Sequence, residues 1–390
     1  HVHELPYDIL LHIFSFLETQ SKIKAAQVCK KWRDVVYSKT LWRSTLAKTC
    51  LGLREHANLF TALHDRGIVK LSLQCELNGS FKSDMESLNT HMPQLRHLEF
   101  ELDPRFCSEI VTNGFKSLRL IHLQTLDIKN NSIVDSSVIK AVRVSMPSLR
   151  RLSLRSCLHV NNTCLKEVAK LTGLMHLDLA CNNTFTDEGL AYVCGLTLLE
   201  SGEILCSDDA PVLSTLHTLN IEHCSKLTSL SVECLGYGRM ASLNTLIINY
   251  NEVMSGVEIV DHIVRLKSLR CLCALGLDFS NDSVKVLAER CSQLENLFLP
   301  FNSRIGDTGL RYISQSCKNV IFLSLIKTAI TDDGVLEMCA HMPQLLLLDI
   351  SNCQRVTDLS LRHIGTKLCR LQVLLTINCV NLTSRGSANI

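Results

Sequence analysis

The hydrophobic residues of this chain fall into a short motif, Leu-x-x-Leu-x-[Leu/Ile], that returns at nearly fixed intervals. The second leucine of each copy stands at Leu71, Leu98, Leu126, Leu152, Leu177, Leu219, Leu246, Leu272, Leu297, Leu323, Leu348 and Leu374. Ten of the eleven intervals measure 25–28 residues; the interval from Leu177 to Leu219 measures 42. Within a copy the period is 2, as in Leu152-Ser153-Leu154, which predicts a short strand with one buried face. A turn and an amphipathic helix should follow each strand. Thr186-Asp187-Glu188-Gly189-Leu190, Asp307-Thr308-Gly309-Leu310 and Thr331-Asp332-Asp333-Gly334-Val335 place short oxygen side chains where a helix N-cap belongs. One such unit cannot bury its apolar face alone, whereas a stack of twelve can.

Five residues past the reference leucines sit Asn131, Cys157, Asn182, Cys224, Asn251, Leu277, Asn302, Thr328, Cys353 and Cys379. The chain leaves the strand there, and a small polar side chain can satisfy turn backbone groups that stacking removes from water. Together with the strand motif, this position makes roughly residues 68–385 resemble cysteine-containing leucine-rich repeats. The expected fold class is α/β: a leucine-rich-repeat solenoid of about 12 repeats over 68–390, with a curved parallel β-sheet inside and helices outside. The long interval departs from this series. Leu198-Leu199-Glu200-Ser201-Gly202-Glu203-Ile204-Leu205 reads as a degraded strand with Gly202 at the leucine position. The irregular segment 198–215 is either a truncated repeat that bends the array or an acidic loop that meets a partner.

Residues 1–45 carry no such repeat. Ile9, Leu10, Ile13, Phe14 and Leu17 recur at helical spacing behind Leu5-Pro6, and a second amphipathic stretch holds Ile23, Ala26, Cys29 and Trp32. About 40 residues are too few for a self-sufficient core, so the segment docks on the solenoid or awaits a partner. The pattern Leu5-Pro6-x-x-Ile9-Leu10-x-x-Ile13-Phe14-Ser15-x-Leu17, then Ala26-x-Val28-Cys29-x-x-Trp32 and Leu41-Trp42, resembles an F-box of three small helices. Residues 46–67 are expected to be a linker or helical cap. Joined to the repeats, this pattern is similar to the F-box/leucine-rich-repeat proteins.

That resemblance implies a non-catalytic substrate receptor of an SCF-type (Skp-cullin-F-box) ubiquitin ligase, marking its target for degradation. The F-box would bind a Skp-family adaptor, and the repeats would hold a protein substrate on the concave face. Carried over by position, Leu5, Pro6, Ile9, Leu10, Ile13, Phe14, Leu17, Val28, Trp32 and Trp42 are candidates for the adaptor contact. Leu5 and Pro6 lead that set, while Trp32 fits the internal core equally well. The alternative is a plain leucine-rich-repeat scaffold or inhibitor that acts by protein–protein binding.

Composition narrows the classes further. With 40 basic and 38 acidic residues the formal charge is +2, so no electrostatic footprint for nucleic acid or an anionic membrane is expected. A hydrophobic share of 46% against 20% charged residues excludes a disordered chain. No apolar run approaches the ~20 residues of a membrane span, and His1 to Leu5 show no basic-then-apolar leader pattern. Nineteen cysteines without any Cys-x-x-Cys pair suggest free, buried thiols in a reducing compartment, the cytoplasm or nucleus. No catalytic motif, metal-ligand spacing or cofactor loop stands out, so no cofactor is expected.

The residues flanking each strand leucine should point onto the concave face. In the early repeats these are polar or charged, Arg151 and Arg155 among them, whereas the later ones turn apolar at Phe298, Phe322, Ile326 and Leu347. Those six residues are the candidate substrate contacts, with the apolar ones forming one anchor patch and the arginines adding polar selection. The competing expectation is a slipped register or a returning tail that covers the patch.

Overall fold

The computed structural model describes residues 5–51, 56–77, 81–206 and 210–383. By its internal contacts the chain divides into two compact units, His1–His159 and Val160–Ile390. The first begins with four short helices, α1 (Tyr7–Ser15), α2 (Thr19–Ala25), α3 (Lys30–Val36) and α4 (Lys39–Trp42). Alternating strands and helices come next: β1 (Leu46–Leu51), α5 (His56–Asp65), β2 (Lys70–Cys75), α6 (Phe81–His91) and β3 (His97–Leu102). The unit closes with α7 (Ser108–Ser117), β4 (Thr125–Asp127), α8 (Ser136–Ser145) and β5 (Arg151–Ser153). Strands β1 to β5 pair in parallel and in sequence order, with Ala47, Leu71, Leu98, Leu126 and Leu152 in one row. Residues 46–67, expected as a linker or helical cap, therefore supply a strand and a helix of the same kind as the repeats. Ala47 stands where the other strands have leucine, which hid this unit from a leucine-spaced reading.

Leucine burial drives the stacking, since Leu71, Leu98 and Leu126 are completely buried. At roughly 25 cal/mol per Å² each such side chain contributes about 2 kcal/mol relative to exposure. Between sheet and helices in this unit lies an aromatic cluster: Phe81 meets Phe100, Phe106 and Phe115 at centroid distances of 6.3, 5.3 and 6.0 Å.

The second unit repeats the plan with shorter strands. Its elements are α9 (Asn162–Val168), β6 (His176–Asp178), α10 (Asp187–Val193), β7 (Leu196–Leu198), β8 (Ile204–Cys206), β9 (Thr218–Asn220) and α11 (Ser229–Tyr237). Then come β10 (Thr245–Ile247), α12 (Gly256–Ile263), β11 (Cys271–Cys273), α13 (Asn281–Arg290), β12 (Asn296–Phe298) and α14 (Asp307–Ser316). The last are β13 (Phe322–Ser324), α15 (Asp332–His341), β14 (Leu347–Asp349), α16 (Asp358–Lys367) and β15 (Val373–Leu375). Strand β6 pairs directly with β9, and β9 to β15 continue in parallel order. The segment expected as a degraded repeat strand is instead an antiparallel hairpin, β7 on β8, outside the parallel ladder. Its turn is closed by the Leu199 amide donating to the Glu203 carbonyl, and Gly202 takes φ +83°, the left-handed region that glycine tolerates.

From β4 onward the exits of the parallel strands share one construction. The Asn/Cys position is buried in all ten copies, from Asn131 to Cys379. Cys224 Sγ donates to the Leu179 carbonyl, Cys353 Sγ to Leu325 and Cys379 Sγ to Ile350, at 3.2–3.3 Å. Asn251 spans neighbours through Nδ2, which donates to Ile221 and Ile248 carbonyls, and Oδ1, which accepts the Cys224 amide. The residue just before this slot is left-handed: Asn130, Ser156, Cys181, His223, Tyr250, Phe301, Lys327, Asn352 and Asn378 have φ of 53–61°.

Helix starts in the second unit are tied across repeats. Asp307, at the first position of α14, accepts both the Thr331 amide and hydroxyl at 2.7 Å. Asp332 does the same for Thr357, Asp187 for Thr228 and Asp358 for Thr383. The Thr331 hydroxyl caps its own helix as expected, accepting the Asp333 amide, whereas the acids at the first helix position reach to the following repeat. Space for the acid comes from the third helix position of the next repeat. A Cβ on Gly334 would overlap the Asp307 carboxylate, and one on Gly309 would stand 2.6 Å from Asn281 Oδ1.

Candidate partner-binding faces

The four N-terminal helices present two apolar faces where one would suffice for a core. On α1, Leu10 and Phe14 are buried one helical turn apart. Ile9, Ile13 and Phe16 form a second stripe at the same spacing and remain 48%, 42% and 76% exposed. Val28, after α2, is 55% exposed, and Ile23, Tyr7 and Tyr37 are exposed as well. Inside, the Phe14 and Trp32 rings meet edge-on at 5.0 Å, and Trp42 Nε1 donates to the Val36 carbonyl. Lys22 is buried beside Trp42, with its Nζ donating to the Leu41 carbonyl.

The ten expected adaptor contacts therefore part into two groups. Pro6, Ile9, Ile13 and Val28 are exposed, and Leu5 and Leu17 are half-buried. Leu10, Phe14 and Trp42 lie in the internal core together with Val35, Val36 and Leu41. Trp32 is half-buried against Phe14. Phe16, the most exposed apolar residue of this segment, was not among the expected contacts. Its spacing of seven from Ile9 was the available signal.

The sheet face opposite the helices differs between the units. In the first, charges are paired: His97 Nε2 lies 3.0 Å from Glu99 Oε1, and Lys129 Nζ 3.3 Å from Asp127 Oδ2. Burial works to raise the Glu99 pKa, but hydrogen bonds from His97 and Ser72 outweigh it and hold the carboxyl below its ordinary range. Arg151 is exposed on β5, and Arg155 is half-buried just beyond it.

In the second unit, Phe298, Phe322, Ile326 and Leu347 are all half-buried on this face. Phe322 aligns with Leu347, and Leu347 with Val373, giving one apolar row. Phe298 is not opposite Phe322: its register partner on β13 is Ser324, while Phe322 faces Asn296. The two rings are diagonal neighbours, at Cα positions roughly 8 Å apart from strand spacing and rise. Asn296, Ser324 and Asp349 interrupt the patch, and Asp349 accepts the Ser351 amide at 3.0 Å. On β11, Cys271 and Cys273 share this face and a hydrogen bond. That bond lowers the Cys271 thiol pKa and raises that of Cys273. Among the described residues no group of three His, Cys, Asp or Glu is placed to hold a metal ion, and no helix is long and apolar enough to cross a membrane.

A family profile described as F-box-like matches residues 2–48, and one described as leucine-rich repeat matches residues 171–194. The chain thus joins an F-box-like segment to leucine-rich repeats and is similar to proteins described as F-box/LRR-repeat. The F-box-like segment is 50% identical over 40 residues to an F-box protein of Arabidopsis thaliana, spanning 10% of this chain and 15% of that protein. Another Arabidopsis thaliana protein, described as a putative F-box/LRR-repeat protein, is 26% identical over 204 residues, 48% of this chain and 78% of its own length. An antagonist of mitotic exit network protein 1 from Candida glabrata is 26% identical over 45% of this chain and 35% of its own. Among solved structures, that of the yeast Rad7 and Elc1 complex matches with a TM-score of 0.61. It covers 94% of this chain and 90% of the other at 15% identity, a likeness of fold.

Proposed function

We propose that this chain is a non-catalytic substrate receptor of a cullin-RING ubiquitin ligase. Its F-box-like helices would dock an adaptor of the Skp or Elongin type, and the open sheet face of the repeats would hold the protein substrate. The observation that carries this reading is the second apolar stripe, Ile9, Ile13 and Phe16, with Val28 beside the same small helices. Exposing several large apolar side chains on about 40 residues is unfavourable in water unless a partner covers them. The F-box-like match supports an adaptor as the occupant, as does the Rad7–Elc1 structure, in which a similar fold is found in complex with a second protein. On the substrate side, Phe322 and Leu347 with Phe298 on the diagonal would form the anchor. Function in the cytoplasm or nucleus follows from the same reading.

The test is co-expression with a Skp-family or an Elongin-type adaptor, read by size-exclusion co-elution of wild type and an Ile13→Asp, Val28→Asp variant. Stoichiometric co-elution with either adaptor, lost in the variant, is the expected result. A monodisperse chain that ignores both adaptors would refute the reading and leave a leucine-rich-repeat scaffold.

A further inference from the structure

Where α4 meets the turns that lead into β2, β3 and β4, all within the first unit, the surface folds into a cavity of about 520 Å³. That size suits a small ligand. Lys39, Arg43, His64, Gln94, Arg96 and His122 line it, and no Asp or Glu does. Three fixed positive charges and two imidazoles thus share one concavity without an anion. Among the described residues, Lys39, Arg43 and Arg96 have no ion-pair partner.

The contrast within this chain is informative. Arg270 occupies the position just before β11 that Arg96 occupies before β3. Arg270 pairs with Glu295, the equivalent residue of the next repeat, whereas the residue equivalent to Glu295 beside Arg96 is Gln124. The counter-charge supplied elsewhere by the neighbouring repeat is missing at the cavity. Like charges gathered in a concavity focus a positive potential on it.

The walls are also set in place. Gln94 Nε2 donates to the Ile68 carbonyl at 3.2 Å, which turns Oε1 toward His64 Nδ1 at 2.6 Å. His64 therefore donates through Nδ1, and Nε2 is its remaining ring nitrogen. Gly67 sits at φ +75° with its α-carbon so close to α4 that an added Cβ would lie 2.7 Å from Lys39 Cβ. The F-box-like helix and the first turn are pressed together at the cavity wall.

We propose that this cavity is a binding site for a phosphate monoester or pyrophosphate group, held by Arg43, Arg96 and Lys39. A phosphate monoester carries ≈ −1.5 to −2 charges at neutral pH and three acceptor oxygens, and arginine forks engage such oxygens in pairs. A single carboxylate would leave most of the positive charge unanswered. The group can arrive on a free small anion or on a phosphorylated side chain. Neither the exposed α1 stripe nor the sheet face takes part, so the site is separable from adaptor and substrate binding.

Titration calorimetry and thermal shift on the full chain test this, with inorganic pyrophosphate, and separately a phosphoserine peptide beside its unphosphorylated form. Pyrophosphate is expected to bind once per chain, more weakly in high salt, and to raise the melting midpoint. An Arg43→Gln, Arg96→Gln variant should bind at least about tenfold more weakly, the loss expected for removing charged hydrogen bonds. If that variant does not fold by circular dichroism, Lys39→Gln alone should still weaken binding severalfold. Tighter binding of the phosphoserine peptide than of pyrophosphate assigns the group to a protein, and the reverse to a free anion. No binding of either at low salt, equal binding of sulfate, or unchanged binding in the folded variants would overturn the site.

Discussion

Removing the Asp332 carboxylate isolates the cross-repeat tie in a single side chain. In the native fold it accepts the Thr357 amide at 2.9 Å, the Ser360 amide at 3.2 Å, the Thr357 hydroxyl at 2.6 Å and the Ser360 hydroxyl. Asp332→Ala leaves the Thr357 amide and the two hydroxyls without this acceptor, while the Ser360 amide keeps its bond to the Thr357 carbonyl; Ser360 is fully buried. A hydrogen bond to a charged group contributes ≈ 1.5–3 kcal/mol, but water reaches Asp332 and recovers part of each, so we expect a loss of about 3 kcal/mol. Urea unfolding followed by circular dichroism reads this as a lower midpoint, and a change below about 0.5 kcal/mol would refute the argument. The pH dependence gives an independent check. Burial alone would raise the Asp332 pKa, yet the Ser360 and Thr357 hydrogen bonds outweigh it, so the folded pKa lies below the ordinary value. A depressed carboxyl pKa contributes stability above the unfolded value of ≈ 3.9 and loses it as pH falls through the folded one. The gap between wild type and Asp332→Ala should therefore be constant from about pH 7 to 5 and narrow below about 4. A gap that did not narrow would show that the loss has another origin.

Three further outcomes are expected from the same geometry. Phe14→Ala should cost roughly 3–5 kcal/mol because it empties a buried site, whereas Ile13→Asp, one residue away, should change the unfolding free energy from urea titration by less than about 0.5 kcal/mol. Gly334→Ala should destabilise by about 1–3 kcal/mol despite alanine's better helix propensity, since its methyl displaces the Asp307 carboxylate; a stabilised variant in thermal unfolding would contradict this. Native-state labelling with a maleimide at neutral pH should reach the exposed Cys107, Cys206 and Cys369 first. Burial pushes the Cys224 and Cys317 thiols up to about 12, so equal labelling of these by mass spectrometry would refute the packing described.

The repeat was legible because its spacing is enforced by stacking: any strand leucine out of step would leave the core. Ala47 shows the limit of that signal, since a small residue packs at the edge of the ladder as well as leucine and carries no periodic mark. The 198–206 hairpin was misread because Leu198 and Leu205 satisfy the repeat motif by composition, while pairing direction depends on a turn whose closure is not written in hydrophobicity. On the candidate adaptor face, periodicity identified the helix but not its inside. Both Ile9/Ile13 and Leu10/Phe14 have helical spacing, and burial alone separates them. The Thr331 N-cap is local and legible, but the ties from Asp307 and Asp187 are not, because their partners lie 24–41 residues away.

The left-handed residue at the strand exits from β4 onward bears on how such a chain can change. An L-residue there is disfavoured by roughly 1–2 kcal/mol, and Tyr250, Phe301 and Lys327 have no side-chain reason to adopt that conformation. Stacking imposes it, through the buried Asn or Cys beside it, so the backbone does not depend on which side chain stands there. Tyr250 and Phe301 are half exposed, and the Lys327 ammonium sits 5.1 Å over the Phe301 ring. The later repeats thus display a row of side chains at regular pitch whose identity the fold leaves unconstrained. Aromatic, cationic or amide groups can be exchanged along that rim while the stack beneath keeps its form, and surface chemistry there can diverge faster than architecture.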